Sequence, residues 1–134
     1  MTRIACILMC LALAACGAAP VPQARTVAVG AEVTLAPGEV VLVKTAELAV
    51  RFVAVSEDSR CPRDVTCVWG GEVKVQLEIQ LAAQAASQVE VRAGDSTMAG
   101  AYRISLVQVE PRPVTGANIA PQNYRATLKI VEAT

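Results

Sequence analysis

Apolar and polar residues alternate along most of the chain after residue 31. The clearest example is the segment from Val73 to Leu81, where every second residue is apolar and the residues between them are polar. This period of two is typical of a β-strand with one buried face and one face in water. The same pattern predicts six further strands, at Glu32–Ala36, Val40–Lys44, Leu48–Val55, around Val89 and Val91, around Tyr102, Ile104 and Leu106, and from Tyr124 to Ile130.

About seven short strands without an amphipathic helix predict an all-β domain. We expect a small antiparallel β-sandwich, immunoglobulin-like or barrel-like in architecture. The alternation shifts by one residue at Leu106–Val107, which predicts a β-bulge there. The domain is not expected to be a true immunoglobulin domain, because Cys61 and Cys67 lie too close in sequence to sit on facing strands.

The beginning of the chain has the pattern of an export signal. Arg3 supplies a positive charge, and the uncharged, mainly apolar run from Ile4 to Ala15 is typical of a signal peptide. This run is shorter than the ~20 apolar residues that a transmembrane helix needs. No later segment is long and apolar enough to compete with it.

The run ends in Leu13-Ala14-Ala15-Cys16, which resembles the lipobox of bacterial lipoproteins. The resemblance implies that residues 1–15 are removed and that Cys16 carries a lipid, which would anchor the protein to a membrane. The alternative is ordinary secretion with cleavage near Ala15 or Ala19. Gly17 stands where an Asp would resemble a retention signal of the inner membrane, so we expect the outer membrane, facing the periplasm.

The rest of the chain divides into a tether and one domain. Residues 16–31 are rich in Ala and Pro and have no strong period, which is typical of a linker. Residues 32–134 then form the β-sandwich domain, a length that suits a single core.

Cysteine counting predicts one disulfide. If Cys6 and Cys10 leave with the signal peptide and Cys16 is lipidated, only Cys61 and Cys67 remain. Two thiols in an oxidising compartment are expected to pair. A redox-active pair is the alternative, but the spacing is not Cys-x-x-Cys, and the short loop favours a structural bridge.

The segment around these cysteines carries the other candidate residues. It resembles the central segment of small, mostly uncharacterised bacterial lipoproteins that have an S-R-C-P-x-x-x-x-C-x-W-x-G pattern after a β-rich start. No activity is known to us for that group, so the resemblance implies no catalytic role. The matching residues are Ser59, Arg60, Cys61, Pro62, Cys67, Trp69 and Gly71.

The sequence allows two interpretations of Trp69, one buried and one exposed. Trp69 lies an even number of residues before Val73, so a strand period of two would place it on the same face as the core-facing residues of the strand that begins there. We therefore expect it to be buried against the disulfide. If Gly70–Gly71 breaks this parity as a bulge, Trp69 would instead be an exposed recognition anchor, because Trp is favoured at binding hot spots.

Three charged residues are the other candidates for interaction. We expect Arg60 to pair with a neighbouring acid, Glu57 or Asp58, rather than to bind an anion. Arg63 and Asp64 lie at the tip of the Cys61–Cys67 loop and are expected to be exposed, with little ordering entropy left to lose on binding.

Composition excludes several classes of function. The chain contains no His, which removes Ser-His-Asp and Cys-His catalysis and His-containing zinc sites. Its 12 Lys and Arg balance its 12 Asp and Glu, and one Trp, one Phe and two Tyr supply few stacking surfaces. We therefore expect no nucleic-acid binding.

The sequence supports a metal site or an enzyme activity less well than a binding role. Glu57, Asp58 and Asp64 are dense enough to suggest Ca²⁺, but their spacing does not match a calcium loop. Lys74 and Lys129 lie on predicted solvent faces, where the lowered pKa of a catalytic lysine is not expected. We expect no metal, no cofactor and no enzyme activity.

The sequence favours a lipid-anchored, non-catalytic envelope protein that binds a protein or a glycan or supports an envelope assembly. The Cys61–Cys67 loop and the loop from Pro111 to Asn123 are the expected contact surfaces. The alternative is an inhibitor of a hydrolase, such as a lysozyme or a protease, that inserts the Cys61–Cys67 loop into the active-site cleft.

Overall fold

The computed structural model describes residues 23–134. The expected signal peptide at residues 1–15 and the expected lipidation site at Cys16 lie outside these residues. Between residues 23 and 134, neither of the short helical turns has the length and apolar character needed to span a bilayer. The strands are β1 (Arg25–Thr26), β2 (Glu32–Leu35), β3 (Val40–Val43), β4 (Leu48–Asp58), β5 (Val73–Leu81), β6 (Ser87–Arg92), β7 (Ser96–Ala99), β8 (Tyr102–Glu110) and β9 (Arg125–Glu132).

These strands form two open sheets that pack against each other. The first sheet has the order β1-β3-β4-β5-β6, and the second has the order β2-β9-β8-β7. All neighbours are antiparallel except β1 and β3, which run parallel. The predicted all-β sandwich is therefore confirmed, and the barrel-like form is not adopted because neither sheet closes.

The core lies between the two sheets and is built from the alternating apolar residues. On β5, Val73, Val75 and Leu77 are buried, and on β4 Phe52 is fully buried opposite Leu77. Burial of each such side chain contributes about 1.5–3 kcal/mol to folding. The fully buried large side chains come from both sheets and include Leu35, Leu48, Phe52, Leu77, Ile104, Leu106, Leu128 and Ile130.

Two strands were missed by the pattern. β7 is short and mostly polar, with only Ala99 buried, so no alternating run marks it. β1 lies inside the expected tether, where Arg25 and Thr26 pair with β3. Val27 and Val29 also pack against the core, so residues 25–29 lie against the domain rather than apart from it.

The bulge expected at Leu106–Val107 is confirmed. Leu106 pairs with Leu128 and Gln108 pairs with Thr127, which leaves Val107 between them without a partner residue and partly exposed. The polar face of β9 differs from the expectation at one position. Thr127 is buried, and its hydroxyl has a hydrogen-bond partner in that of Thr34 on β2, 2.9 Å away.

Irregular pairing also positions the end of β4. The register between β4 and β5 shifts twice, between Phe52 and Ala54 and between Val55 and Glu57. These shifts bring Asp58 opposite Val73, so the chain leaves the first sheet at Asp58 and returns to it at Val73.

Candidate functional site

Residues 59–72, which we call the disulfide loop, connect β4 to β5. At its base, the Ser59 N–H donates to the Glu72 carbonyl at 2.8 Å, and the Ser59 hydroxyl accepts from the Glu72 N–H at 3.1 Å. One step further along, the Cys61 N–H donates to the Gly70 carbonyl at 3.1 Å. The Cys61–Cys67 disulfide is present, with Cα atoms 5.8 Å apart. The loop is therefore closed by backbone hydrogen bonds and by a covalent bridge.

Gly71 determines how the chain enters β5. Its φ of +63° is in the left-handed region, and a Cβ atom there would lie 1.8 Å from the carbonyl oxygen of Ser59. A residue with a side chain is excluded by both the conformation and the contact. Gly71 thus lets the two ends of the loop approach closely, and it interrupts the alternation that continues from Val73.

A polar cluster of Asp58, Arg60 and Tyr124 holds the loop to the sandwich. Nε and Nη2 of Arg60 donate to the two carboxylate oxygens of Asp58 at 2.8 and 2.7 Å, and the Tyr124 hydroxyl donates to Asp58 at 3.0 Å. The side chains of Asp58 and Arg60 are only 9% and 13% exposed. The expectation that Arg60 pairs with a neighbouring acid is confirmed for Asp58, so Arg60 is not a free surface residue.

The remaining donors of Arg60 reach the second sheet. Nη1 donates to the Val109 carbonyl at 2.6 Å, and Nη2 donates to the Pro111 carbonyl at 2.9 Å. These carbonyls mark the end of β8 and the start of residues 111–123, which we call the 111–123 loop. Because Tyr124 follows this loop directly, the polar cluster fixes both of its ends.

The pKa of Asp58 reflects this arrangement. Burial on its own would raise it, but hydrogen bonds from Arg60 and Tyr124 and the charge of Arg60 lower the pKa of Asp58 below its ordinary value. Burial and the bond to the Asp58 carboxylate raise the pKa of Tyr124. At neutral pH the cluster therefore consists of an ionised Asp, a charged Arg and a neutral Tyr hydroxyl.

The disulfide loop also contacts the 111–123 loop directly. The Arg63 N–H donates to the Pro113 carbonyl at 3.0 Å, and the Thr115 N–H donates to the Asp64 carboxylate at 2.9 Å. This second bond lowers the pKa of Asp64. Both Arg63 and Asp64 are exposed, as expected. The two loops that the sequence suggested as contact surfaces thus lie side by side.

Trp69 is exposed, so the expectation that it packs against the disulfide is wrong. Its exposed fraction is 84%, and that of the adjacent Val68 is 93%. The parity argument failed because the strand begins only at Val73, after the turn made at Gly71. Val65 on the same loop is 47% exposed, which gives the disulfide loop an apolar surface made of Val65, Val68 and Trp69.

A pocket of about 320 Å³ lies where the two loops meet. Its charged lining residues are Arg63 from the disulfide loop, Glu110 from the end of β8 and Arg112 from the 111–123 loop. The remaining lining is apolar and consists of Pro111, Val114, Ala117 and Ile119. The pocket exists because Arg63 is held to Pro113 and because the chain turns back between Val114 and Ala117.

Lys74, one of the lysines considered for catalysis, has other partners. Lys74 forms ion pairs with Glu57 and Glu72, both at 3.0 Å. These pairs raise the pKa of Lys74, which is opposite to the direction that a nucleophile or general base requires. The chemistry of this lysine is therefore that of a surface ion pair.

The three acids considered for calcium are not brought together. Glu57 pairs with Lys74, Asp58 with Arg60, and Asp64 accepts from the backbone of the 111–123 loop. Among residues 23–134, no group of three or more Cys, Asp or Glu side chains is arranged to hold a metal ion.

Comparison of the chain with known proteins adds no family assignment. No protein-family model, curated protein or solved structure matches it. The function must therefore be argued from the site itself.

Sequence reasoning missed four residues of this site. Tyr124 was assigned to a strand and was compatible with the resemblance to the lipoprotein group, but no role was predicted for its hydroxyl, which completes the polar cluster. Val68 was not considered, although the Gly70–Gly71 pair after it was a signal that the strand pattern could break. Glu110 was not considered, and Arg112 was noted only as part of the loop from Pro111 to Asn123, since a pocket between distant loops leaves no local pattern.

Proposed function

We propose that this protein is a lipid-anchored, non-catalytic binding module of the bacterial cell envelope, and that the disulfide loop contacts a protein partner. The observation that carries the proposal is the exposure of Trp69 and Val68 on a loop that is closed at its base and bridged by a disulfide. The lipid anchor rests on the Leu13-Ala14-Ala15-Cys16 pattern and on the resemblance to bacterial lipoproteins.

An exposed Trp on a constrained loop is well suited to binding. A Trp side chain buries a large area when it is covered, and it is among the residues most enriched at hot spots. Binding normally costs entropy because loops become ordered. Here the disulfide and the bonds to the 111–123 loop have already ordered the backbone, so that cost is reduced. Arg63 and Asp64 beside the apolar surface supply a polar rim.

The other residues of the shared segment have structural contacts, and Trp69 does not. Ser59 and Gly71 form the base of the loop, Arg60 holds the polar cluster, and the two cysteines form the bridge. Within residues 23–134, the Trp69 side chain forms no hydrogen bond and is not part of the core. A role in recognition accounts for a large apolar side chain that the fold does not use.

The anchor is tested by the intact mass of protein extracted from the cell envelope. We expect a chain that starts at Cys16 and carries added acyl mass, because the lipobox cleavage exposes this cysteine as the lipidated end. An unmodified N-terminus, or one that starts at another residue, would contradict the anchor.

The partner surface is tested by photo-crosslinking in cells. A photoreactive amino acid replaces Val68, and in a matched control it replaces Gln80, which is exposed near the other end of β5. We expect one discrete protein to be captured at 68 and not at 80. Capture should be lost when Trp69→Ala is added. Capture at neither position, or equal capture at both, would overturn the proposal.

Loss of capture must not result from unfolding. Because Trp69 is exposed, Trp69→Ala should change the free energy of unfolding by less than about 0.5 kcal/mol. Phe52→Ala, in the core, should cost about 3–5 kcal/mol and serves as the comparison. A large loss of stability in the Trp69 variant would return Trp69 to a structural role.

The identity of the captured protein decides whether the module is an inhibitor. The constrained, exposed loop favours this alternative, since such a loop can enter an active-site cleft with little loss of entropy. If the partner is a lysozyme or a protease, the protein should inhibit it, and the pair Arg63→Ala and Asp64→Ala should weaken inhibition. If the partner is an envelope protein without hydrolase activity, the module acts in assembly.

A further inference from the structure

The pocket between the two loops combines positive charge with an apolar wall. Its volume of about 320 Å³ is at the lower end of ligand pockets, which suits a small group rather than a large ligand. It carries two arginines, Arg63 and Arg112, and one acid, Glu110. Its net charge is therefore positive by one unit.

The two pocket arginines are available for a ligand. Among residues 23–134, neither the Arg63 nor the Arg112 side chain forms a hydrogen bond or an ion pair, and Arg103 is the other arginine of this kind. The arginines elsewhere have partners. They are Arg25, Arg51, Arg60, Arg92 and Arg125.

The backbone already holds both arginines in place. The Arg63 N–H is bonded to the Pro113 carbonyl, and Arg112 lies between Pro111 and Pro113. Each proline fixes its own φ, and Pro113 also restricts the conformation of Arg112 before it. A ligand would thus meet two arginine residues whose backbone is already ordered.

We propose that this pocket binds the C-terminal carboxylate of a peptide that ends in a small aliphatic residue. A guanidinium group donates two parallel hydrogen bonds to a carboxylate, and the pocket lining includes two arginines. Phosphate has the same geometry, but a fully ionised phosphate monoester has no hydrogen left to donate to Glu110. A peptide that ends in a carboxylate carries such a donor in its own backbone.

The rest of the lining selects the rest of the ligand. Val114, Ala117 and Ile119 offer an apolar wall that covers a methyl or a short branched side chain. Glu110 offers a carboxylate that accepts an N–H, which a peptide backbone presents close to its terminal carboxylate. A simple fatty acid would leave this acceptor unused.

This site shares Arg63 with the rim of the proposed partner surface, but not the apolar residues of that surface. Trp69, Val68 and Val65 do not line the pocket. Carboxylate binding therefore persists in the Trp69→Ala variant even if that variant loses its captured partner, and the two proposals fail separately.

The test uses the full-length chain in detergent micelles, with acetyl-Ala-Ala as the probe and its C-terminal amide as the control ligand. NMR shifts of the backbone and the arginine side chains report binding. We expect saturable shifts at Arg63 and Arg112 with the acid and about tenfold weaker binding of the amide, because the amide has lost the charged acceptor. Butyrate, which has the charge but no N–H, should also bind more weakly.

Two variants separate a specific site from general charge attraction. Arg112→Gln should weaken binding of the acid about fivefold, because it removes one charged donor from the pocket. Arg103→Gln removes the same charge from β8, outside the pocket, and should leave binding unchanged. Equal binding of acid and amide, equal loss in both variants, or no saturable shift would overturn the proposal.

Discussion

At the scale of single residues, the Asp58 carboxylate is the point where the two sheets and both loops are joined. It accepts from Arg60, which reaches a carbonyl of the second sheet, and from Tyr124, which directly follows the 111–123 loop. A partly buried carboxylate without these donors would be destabilising, since burial alone favours its neutral form. The stability that the cluster contributes should therefore depend on the charge of Asp58.

Removing one donor from this carboxylate tests that dependence. Tyr124→Phe should lower the free energy of unfolding by about 1–2 kcal/mol at neutral pH, because a hydrogen bond to an ionised group is lost. The lowered pKa of Asp58 means that its contribution is present above the unfolded-state pKa of about 3.9 and is lost as pH falls through the folded value. Urea denaturation between about pH 7 and pH 2.5 should show a smaller difference between the two proteins at acidic pH.

Tyr102→Phe is the matched control for this experiment. Within residues 23–134 the Tyr102 hydroxyl has no hydrogen-bond partner, so its removal should change stability by less than about 0.5 kcal/mol at any pH. An equal effect of both substitutions, or an effect of Tyr124→Phe that does not change with pH, would contradict the role given to Asp58.

At the scale of elements, the predictable features are those with a local pattern. The alternation of β5 predicted both its bounds and its buried face, and the shift of the alternation at Leu106–Val107 predicted the bulge. β7 could not be predicted, because Ser96–Ala99 is short and mostly polar, and β8 is the only strand with which it pairs among residues 23–134. Trp69 was misplaced because the strand period was extended across Gly71, where the backbone turns.

The glycine pair at the end of the disulfide loop offers a comparison within one element. Gly71→Ala should lower the free energy of unfolding by at least about 2 kcal/mol, because it adds a positive-φ penalty to a collision with the Ser59 carbonyl. Gly70→Ala meets nothing within 4 Å and should have an effect below about 0.5 kcal/mol. Thermal unfolding of the two variants measures the difference, and similar values would show that the base of the loop adapts easily.

At the scale of the whole molecule, the disulfide lies outside the core. The buried residues come from strands of both sheets together with Tyr124, and neither Cys61 nor Cys67 is among them. The bridge should therefore organise the disulfide loop without being required for the sandwich. Only part of the candidate site could be predicted from the sequence. Its bridge, Arg63 and Asp64 could be predicted from the sequence, whereas the pocket depends on tertiary contact between distant loops.

Removing the bridge tests whether the sandwich folds without the disulfide. The double substitution of Cys61→Ser and Cys67→Ser should lower the free energy of unfolding by roughly 2 kcal/mol, because the unfolded chain loses a short closed loop. The circular dichroism of the strands should remain that of the native protein, while crosslinking through position 68 should fall. A globally unfolded variant would show that the loop is required for the core to form.

The small size of β1 has a mechanical consequence. Its two residues pair with β3, and Arg25 adds an ion pair with Glu39 that is exposed to water. Tension applied to the chain before residue 25 would load these few bonds first, before the longer ladders of the other strands. Peeling residues 25–29 from the domain would lengthen the connection by about 17 Å at ~3.3–3.6 Å per residue. The domain could thus move further from an anchoring point at the cost of the β1 pairing and of the contacts that Val27 and Val29 make with the core.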